Sequence, residues 1–204
     1  MKTPSPADYE AMPGDIVHCR GHRVASWLIR LGTHGWGNHD GTLVFLAGAW
    51  WIAEAEGQGF VLTSWQAYAR DIAANKLSVA FLRIAGSTQG QGAEMARLAM
   101  ERAVEATEYS WKSIRYIVRT IILGGRIAKK LGWNKEDKWQ NYCTDSVRDF
   151  AREVSPKLDV WDTPLPTPRT TENRLCKGKL TLLGEIVCKR DKYLATWLTN
   201  EGRM

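Results

Sequence analysis

The chain has 204 residues, 44% of them hydrophobic and 25% charged, the balance of a globular protein with room for a sizeable core. Four cysteines in a chain of this length, with no CxxC pair, exclude a disulfide scaffold and a zinc ribbon. The formal charge is +6; six positive charges (Lys112, Arg115, Arg119, Arg126, Lys129, Lys130) lie together with no acid between them, and taking those six from 28 basic residues leaves 22, equal to the acidic count of 22.

The N-terminal stretch MKTPSPADYEAMPGD has no apolar core region, so no secretory signal is expected. No apolar run is long enough for a spanning helix. The expected location is the cytoplasm, with free thiols in a reducing compartment. An extracellular target would then require release by lysis or a dedicated secretion system.

In chain order, residues 1–13 form a polar lead-in and GDIVHC (14–19) a short strand. VASWLIRLG (24–32) reads as a helix with Trp27, Leu28 and Leu31 on one face, closed by Gly32. THGWGNHDG (33–41) is a glycine-rich loop. Four β-branched and aromatic runs follow: TLVFLAG (42–48), WWIAEAEG (50–57), FVLTSW (60–65) and KLSVAFLRI (76–84). Their short glycine-bearing connections suggest antiparallel hairpins. GSTQGQG (86–92) reads as a loop, and residues 93–107 as a helix with Ala96, Ala99, Met100, Ala103 and Val104 at helical spacing. A second helix is expected from about Trp111 to Leu131, and a third from near Tyr142 carrying Cys143, Val147, Phe150, Ala151 and Val154.

Residues 155–173, with four prolines, read as an extended connection, and KLTLLGEIVC (179–188) as a hairpin or paired strand. The expectation is an α+β fold in one domain, an antiparallel sheet packed against helices. Residues 13–154 would form its core, and 155–204 a proline-rich connection with a β-rich extension.

Three places carry chemistry. His39 directly precedes a strand, Glu54 lies in the next strand, and Cys143 opens a helix. Residues paired across two antiparallel strands lie only ~5 Å apart, so the carboxylate can orient the imidazole. A helix N-terminus and a neighbouring imidazolium both favour a thiolate. Cysteine, base and orienting acid together make a nucleophilic triad. Each has a competitor: His34 for His39, and Glu56, on the same strand face, for Glu54. Cys143 is otherwise a small core residue.

The ordered set Gly14-Asp15-Ile16, His39, Glu54-Ala55 with Gly59-Phe60, Trp65, Tyr109 and Cys143-Thr144-Asp145-Ser146-Val147 resembles the circularly permuted NlpC-type, papain-like cysteine hydrolases. This branch includes the YiiX-like bacterial proteins and the lecithin:retinol acyltransferase group. The histidine preceding the cysteine is the permuted order. Two positions depart from the pattern: Thr144 follows the cysteine where serine is usual, and Asp40-Gly41 opens the strand where Val-Gly is usual. The resemblance implies a permuted papain-like fold with Cys143 as nucleophile, His39 as general base and Glu54 as orienting acid. It also implies Tyr109 as a hydroxyl donor to the oxyanion, with Tyr116 and Tyr142 as neighbouring alternatives.

The implied reaction is attack on an amide carbonyl through a thioester acyl-enzyme, with a peptidoglycan peptide of a bacterial or phage system as substrate. The same residues suit a lipid acyl hydrolase or acyltransferase. A non-catalytic binding module that retains the fold is the reading from another class, and the two departures favour it. His18, Cys19 and His22 lack a second ligand pair, so no metal or other cofactor is expected. Lys112, Arg115, Arg119, Arg126 and Lys130 recur along one helical stripe, a solvated face or a contact for an anionic surface. No nucleic-acid module is recognisable.

Overall fold

The computed structural model describes residues 4–22, 24–56, 59–105, 143–163, 166–189 and 191–200. The helix expected at 111–131, its basic stripe, and Tyr109, Tyr116 and Tyr142 lie outside the described residues. The elements in order are β1 (Ile16–Gly21), α1 (Val24–Thr33), β2 (His39–Leu46), β3 (Ala49–Glu56), β4 (Gly59–Ser64), α2 (Trp65–Ala73), β5 (Leu77–Ile84), α3 (Gln89–Val104), α4 (Cys143–Val154), α5 (Pro168–Cys176), β6 (Leu180–Ile186) and α6 (Leu194–Asn200). The six strands form one sheet in the order β4-β3-β2-β1-β5-β6, with every neighbouring pair antiparallel. The α+β expectation and the antiparallel sheet packed against helices match this architecture.

Successive strand residues point to opposite faces, and here both faces are covered. On one face Ile16, Val44, Ala53, Ala80 and Leu82 are buried with residues of α3, α4 and α6. On the other face Val17, Leu43, Ile52, Val79 and Phe81 are buried with Trp65, Tyr68 and Ile72 of α2. This two-sided burial explains why the strands read as nearly continuous apolar runs. Each of the larger of these side chains, Val, Leu, Ile or Phe, contributes about 1.5–3 kcal/mol when fully buried.

Three local expectations are corrected. Trp65 begins α2 and does not end a strand, because the Ser64 side chain accepts the Ala67 N–H at 3.3 Å and caps a helix there. The segment 86–92 is not all loop: α3 starts at Gln89, where Thr88 and Gln91 cap each other reciprocally. Among the described residues of 155–204 the segment is not β-rich: it holds one strand, β6, paired to β5 at the sheet edge, two α-helices and a 3-10 turn at Pro156–Leu158. Within that stretch Pro168 starts α5 behind the Thr167 cap, a position where a missing N–H costs the helix nothing.

The Gly14-Asp15 pair is structural. A Cβ on Gly14, whose φ is +89°, would stand 2.1 Å from the Gly92 carbonyl oxygen. Asp15 accepts from Arg83 Nε at 2.8 Å and Nη2 at 2.7 Å, bracing the start of β1 against β5.

Candidate functional site

The end of β2 positions two groups on opposite sides of the sheet. His39 turns toward the α2 face, where its Nε2 lies 2.7 Å from Glu54 Oε2 of β3. The two are not directly opposed, since Gly41 is the partner of Glu54 in the ladder. The imidazole therefore reaches the carboxylate diagonally, within the range that long side chains span. Glu54 is buried, whereas Glu56 is exposed at the strand end. His34 is exposed in the preceding loop, so neither competitor joins this group.

Cys143 is the first residue of α4 and lies close enough to His39 to be the first of the neighbours that raise its pKa. Burial by itself would lower the His39 pKa; the neighbouring Cys143 and then Glu54 outweigh it and hold the imidazole well above its usual range. Burial acts on Glu54 in the opposite direction to its partners, and His39, Thr63 and Tyr68 hold the carboxyl below its ordinary value. With Nε2 engaged by Glu54, Nδ1 is the nitrogen left to serve the thiol.

Tyr68 is a member of this group that sequence reasoning did not single out. Its hydroxyl donates to Glu54 Oε2 at 2.5 Å from the buried face of α2. Burial, then Cys19 and Glu54, push its pKa well above the usual range, so it stays a donor. Its ring stacks on Trp65, with centroids 6.2 Å apart, which gives Trp65 a supporting place. The signal was the buried spacing Trp65, Tyr68, Ile72, hidden while residue 65 was read as the end of a strand. Tyr68→Phe keeps the ring and removes one donor to a buried charge. The expected cost is about 1.5–3 kcal/mol in urea unfolding, together with a several-fold slower alkylation of Cys143 at pH ~6.

The two departures from the family pattern meet each other. Thr144 Oγ1 donates to Asp40 Oδ2 at 2.6 Å, between buried residues. The same carboxylate accepts from Thr171 Oγ1 of α5 at 2.9 Å, and its Oδ1 pairs with His18 Nδ1 at 2.6 Å. His18 Nε2 stands 3.4 Å from Glu172 Oε1. Glu172 in turn accepts the Gly37 N–H at 2.9 Å and pairs with Arg169 at 3.0 Å. Burial alone would lower the His18 pKa, but Asp40 and then Glu172 push it up to about 10. Gly37 permits this approach: a Cβ there would be 2.3 Å from His18 Nε2. Consecutive residues of β2, His39 and Asp40, thus hold consecutive residues of α4, Cys143 and Thr144.

No protein-family profile and no curated protein matches the chain. Among solved structures, the crystal structure of the metalloprotein YiiX from Escherichia coli O157:H7 is similar, with a TM-score of 0.50 and 18% identity over 88% of this chain and 89% of that one. The fold is YiiX-like. At that identity the likeness describes architecture alone. In this YiiX-like fold the three residues weighed as a metal set, His18, Cys19 and His22, do not converge. His18 is committed to Asp40, Cys19 is buried beside Tyr68, and His22 faces Cys188 and Asp191. No helix among the described residues is long and apolar enough to cross a membrane.

Proposed function

We propose that the protein is a cysteine hydrolase that cuts an amide bond in a cell-wall peptide. The observation that carries this reading is the His39–Glu54 pair, closed by the Tyr68 hydroxyl, with Cys143 the neighbour that acts most on the imidazole. A buried carboxylate orienting an imidazole that faces a thiol at a helix start suits nucleophilic attack and has little use in a purely structural core. The choice of a cell-wall peptide rests on the resemblance to the permuted NlpC-type hydrolases.

In the proposed reaction the Cys143 thiol proton moves to His39, and the sulfur attacks the carbonyl carbon, forming a C–S bond. A backbone N–H in the first turn of α4 would serve as donor to the developing oxyanion. Tyr109 is the additional donor implied by the resemblance. His39 then passes its proton to the departing amine as the C–N bond breaks, leaving a thioester. Water attacks the thioester, His39 takes the water proton, and the acid leaves with Cys143 restored. Glu54 keeps the ring aligned and stabilises the imidazolium in both halves.

The test is intact-mass detection of an acyl adduct on Cys143. Purified protein is mixed with peptidoglycan stem peptides in one arm and phospholipid vesicles in the other. The expected result is an adduct and a released amine with the peptides, both absent in Cys143→Ala. An adduct from the vesicles alone would make the protein a lipid acyl hydrolase or acyltransferase. No adduct in either arm, with a Cys143 as slow as a free thiol toward iodoacetamide, would sink the enzyme reading.

A further inference from the structure

We propose that His22, Cys188 and Asp191 form a site for a divalent transition metal of the zinc type, built on residues that the Cys143 group does not use. His22 follows the end of β1, and Cys188 and Asp191 lie in the turn after β6. His22 Nε2 stands 3.2 Å from Cys188 Sγ and 2.9 Å from Asp191 Oδ2, and Cys188 Sγ stands 3.2 Å from Asp191 Oδ2. Bonds of about 2.0–2.3 Å in a tetrahedron place N, O and S ligand atoms roughly 3.3–3.6 Å apart. The three atoms therefore need to open by only a few tenths of an ångström to accept an ion.

The arrangement is convergent and is not a relay. In a Cys–His–Asp relay the carboxylate and the thiol engage different ring nitrogens. Here both meet the same nitrogen, Nε2. The protons also do not fit well without a cation. Asp191 Oδ2 faces His22 Nε2, Cys188 Sγ and Ser78 Oγ, the last at 2.6 Å. A carboxylate oxygen has about two lone-pair sites, so three donors crowd one acceptor. A divalent ion removes two of these claims, because it takes a neutral imidazole lone pair and a thiolate. The Cys188 proton is released to solvent on binding.

The charges then balance: a doubly positive ion meets one thiolate and one carboxylate. The surroundings act as outer support. Arg20 Nε holds Asp191 Oδ1 at 2.8 Å, and the Cys188 N–H donates to Ser78 Oγ at 2.9 Å. His22 is partly exposed while Cys188 and the Asp191 side chain are buried, which leaves a fourth position for water. The site would tie the end of β1 to a turn more than 160 residues later, and an ion bound only by the folded chain stabilises it by mass action. The proposal departs from the expectation of no metal drawn from the sequence.

The experiment uses the full chain stripped with a chelator and titrated with Co2+, followed by thiolate-to-cobalt charge-transfer absorption and by Tm with Zn2+. One equivalent should bind, with the band present and Tm raised. Cys188→Ser should lose the band, His22→Ala should bind at least ~10-fold more weakly, and Cys143→Ser should keep both signals. Circular dichroism of each variant identifies any that fail to fold, and His22→Ala then stands in for Cys188→Ser. The proposal is overturned if no equivalent binds, if the band survives Cys188→Ser, or if it disappears in Cys143→Ser.

Discussion

His39→Ala is expected to lower the rate at which iodoacetamide modifies Cys143 at pH ~6 by on the order of 10- to 100-fold. A free thiol with a pKa of about 8.5 is only roughly 0.3% thiolate at that pH. Burial would lower the His39 pKa, but Cys143 and then Glu54 hold it well above its usual range, so the imidazole is placed to pair with the sulfur as it reacts. His39→Ala removes that partner, and the drop is moderated because a thiolate of higher pKa is also the better nucleophile. Peptide mass spectrometry of each cysteine against pH gives the rates. Cys19 is an internal control: burial, then Glu54, push its pKa well up, and it should stay unmodified in both proteins. Equal Cys143 rates in wild type and His39→Ala across pH ~5–8 would show that the contact does no chemistry.

Asp40→Ala is expected to cost about 3–5 kcal/mol, because it strips a buried ion pair of one partner. It removes the acceptor of His18, Thr144 and Thr171 together. Thr144→Val deletes one of those bonds and leaves a buried oxygen short of a donor, costing about 1–3 kcal/mol. Thr144→Ser keeps the hydroxyl and should cost less than either. Urea midpoints order the three variants.

The pH dependence of the same cluster has a definite sign. His18 sits at about 10 in the fold against 6.5 for the free group, so its stabilisation is complete below pH 6.5 and is lost as pH rises toward 10. Asp40 is held below 3.8, chiefly by His18 against the opposing effect of burial, so its stabilisation is present above that pH and is lost as pH falls further. Wild-type stability should therefore decline between pH 6.5 and 10, and that slope should flatten in Asp40→Ala. An unchanged midpoint and slope in Asp40→Ala would mean that the cluster does not brace the cysteine-bearing helix start.

The chemical roles of these residues also depend on their neighbours in the chain. His39 and Asp40 are adjacent in β2, and Thr144, bonded to Asp40, is adjacent to Cys143 in α4, so the buried Asp40 cluster sets where both reacting side chains stand. The Thr144 and Asp40 positions, which as isolated letters weigh against catalysis, are thus one interaction. A threonine hydroxyl and an aspartate, 104 residues apart in the chain, replace whatever a serine and a valine would do there.

Local chemistry in the sequence placed the strands, because β-branched and aromatic runs between glycines favour extended backbone, although where the run FVLTSW ended was decided by the Ser64 cap of α2. It also determined that Cys143 opens a helix, since Val147, Phe150 and Ala151 recur at helical spacing, and that His39 stands where a strand starts. Periodicity placed Glu54 and Glu56 on one face but had no means of choosing between them. That choice was decided by the ladder register and by α2, which buries one carboxylate and supplies the Tyr68 hydroxyl. The His18–Asp40–Thr144 network and the meeting of His22 with Cys188 and Asp191 were likewise decided only by packing. Such contacts join residues on separate elements, and backbone periodicity carries no information about which distant side chains a shared core will bring within 3 Å of each other.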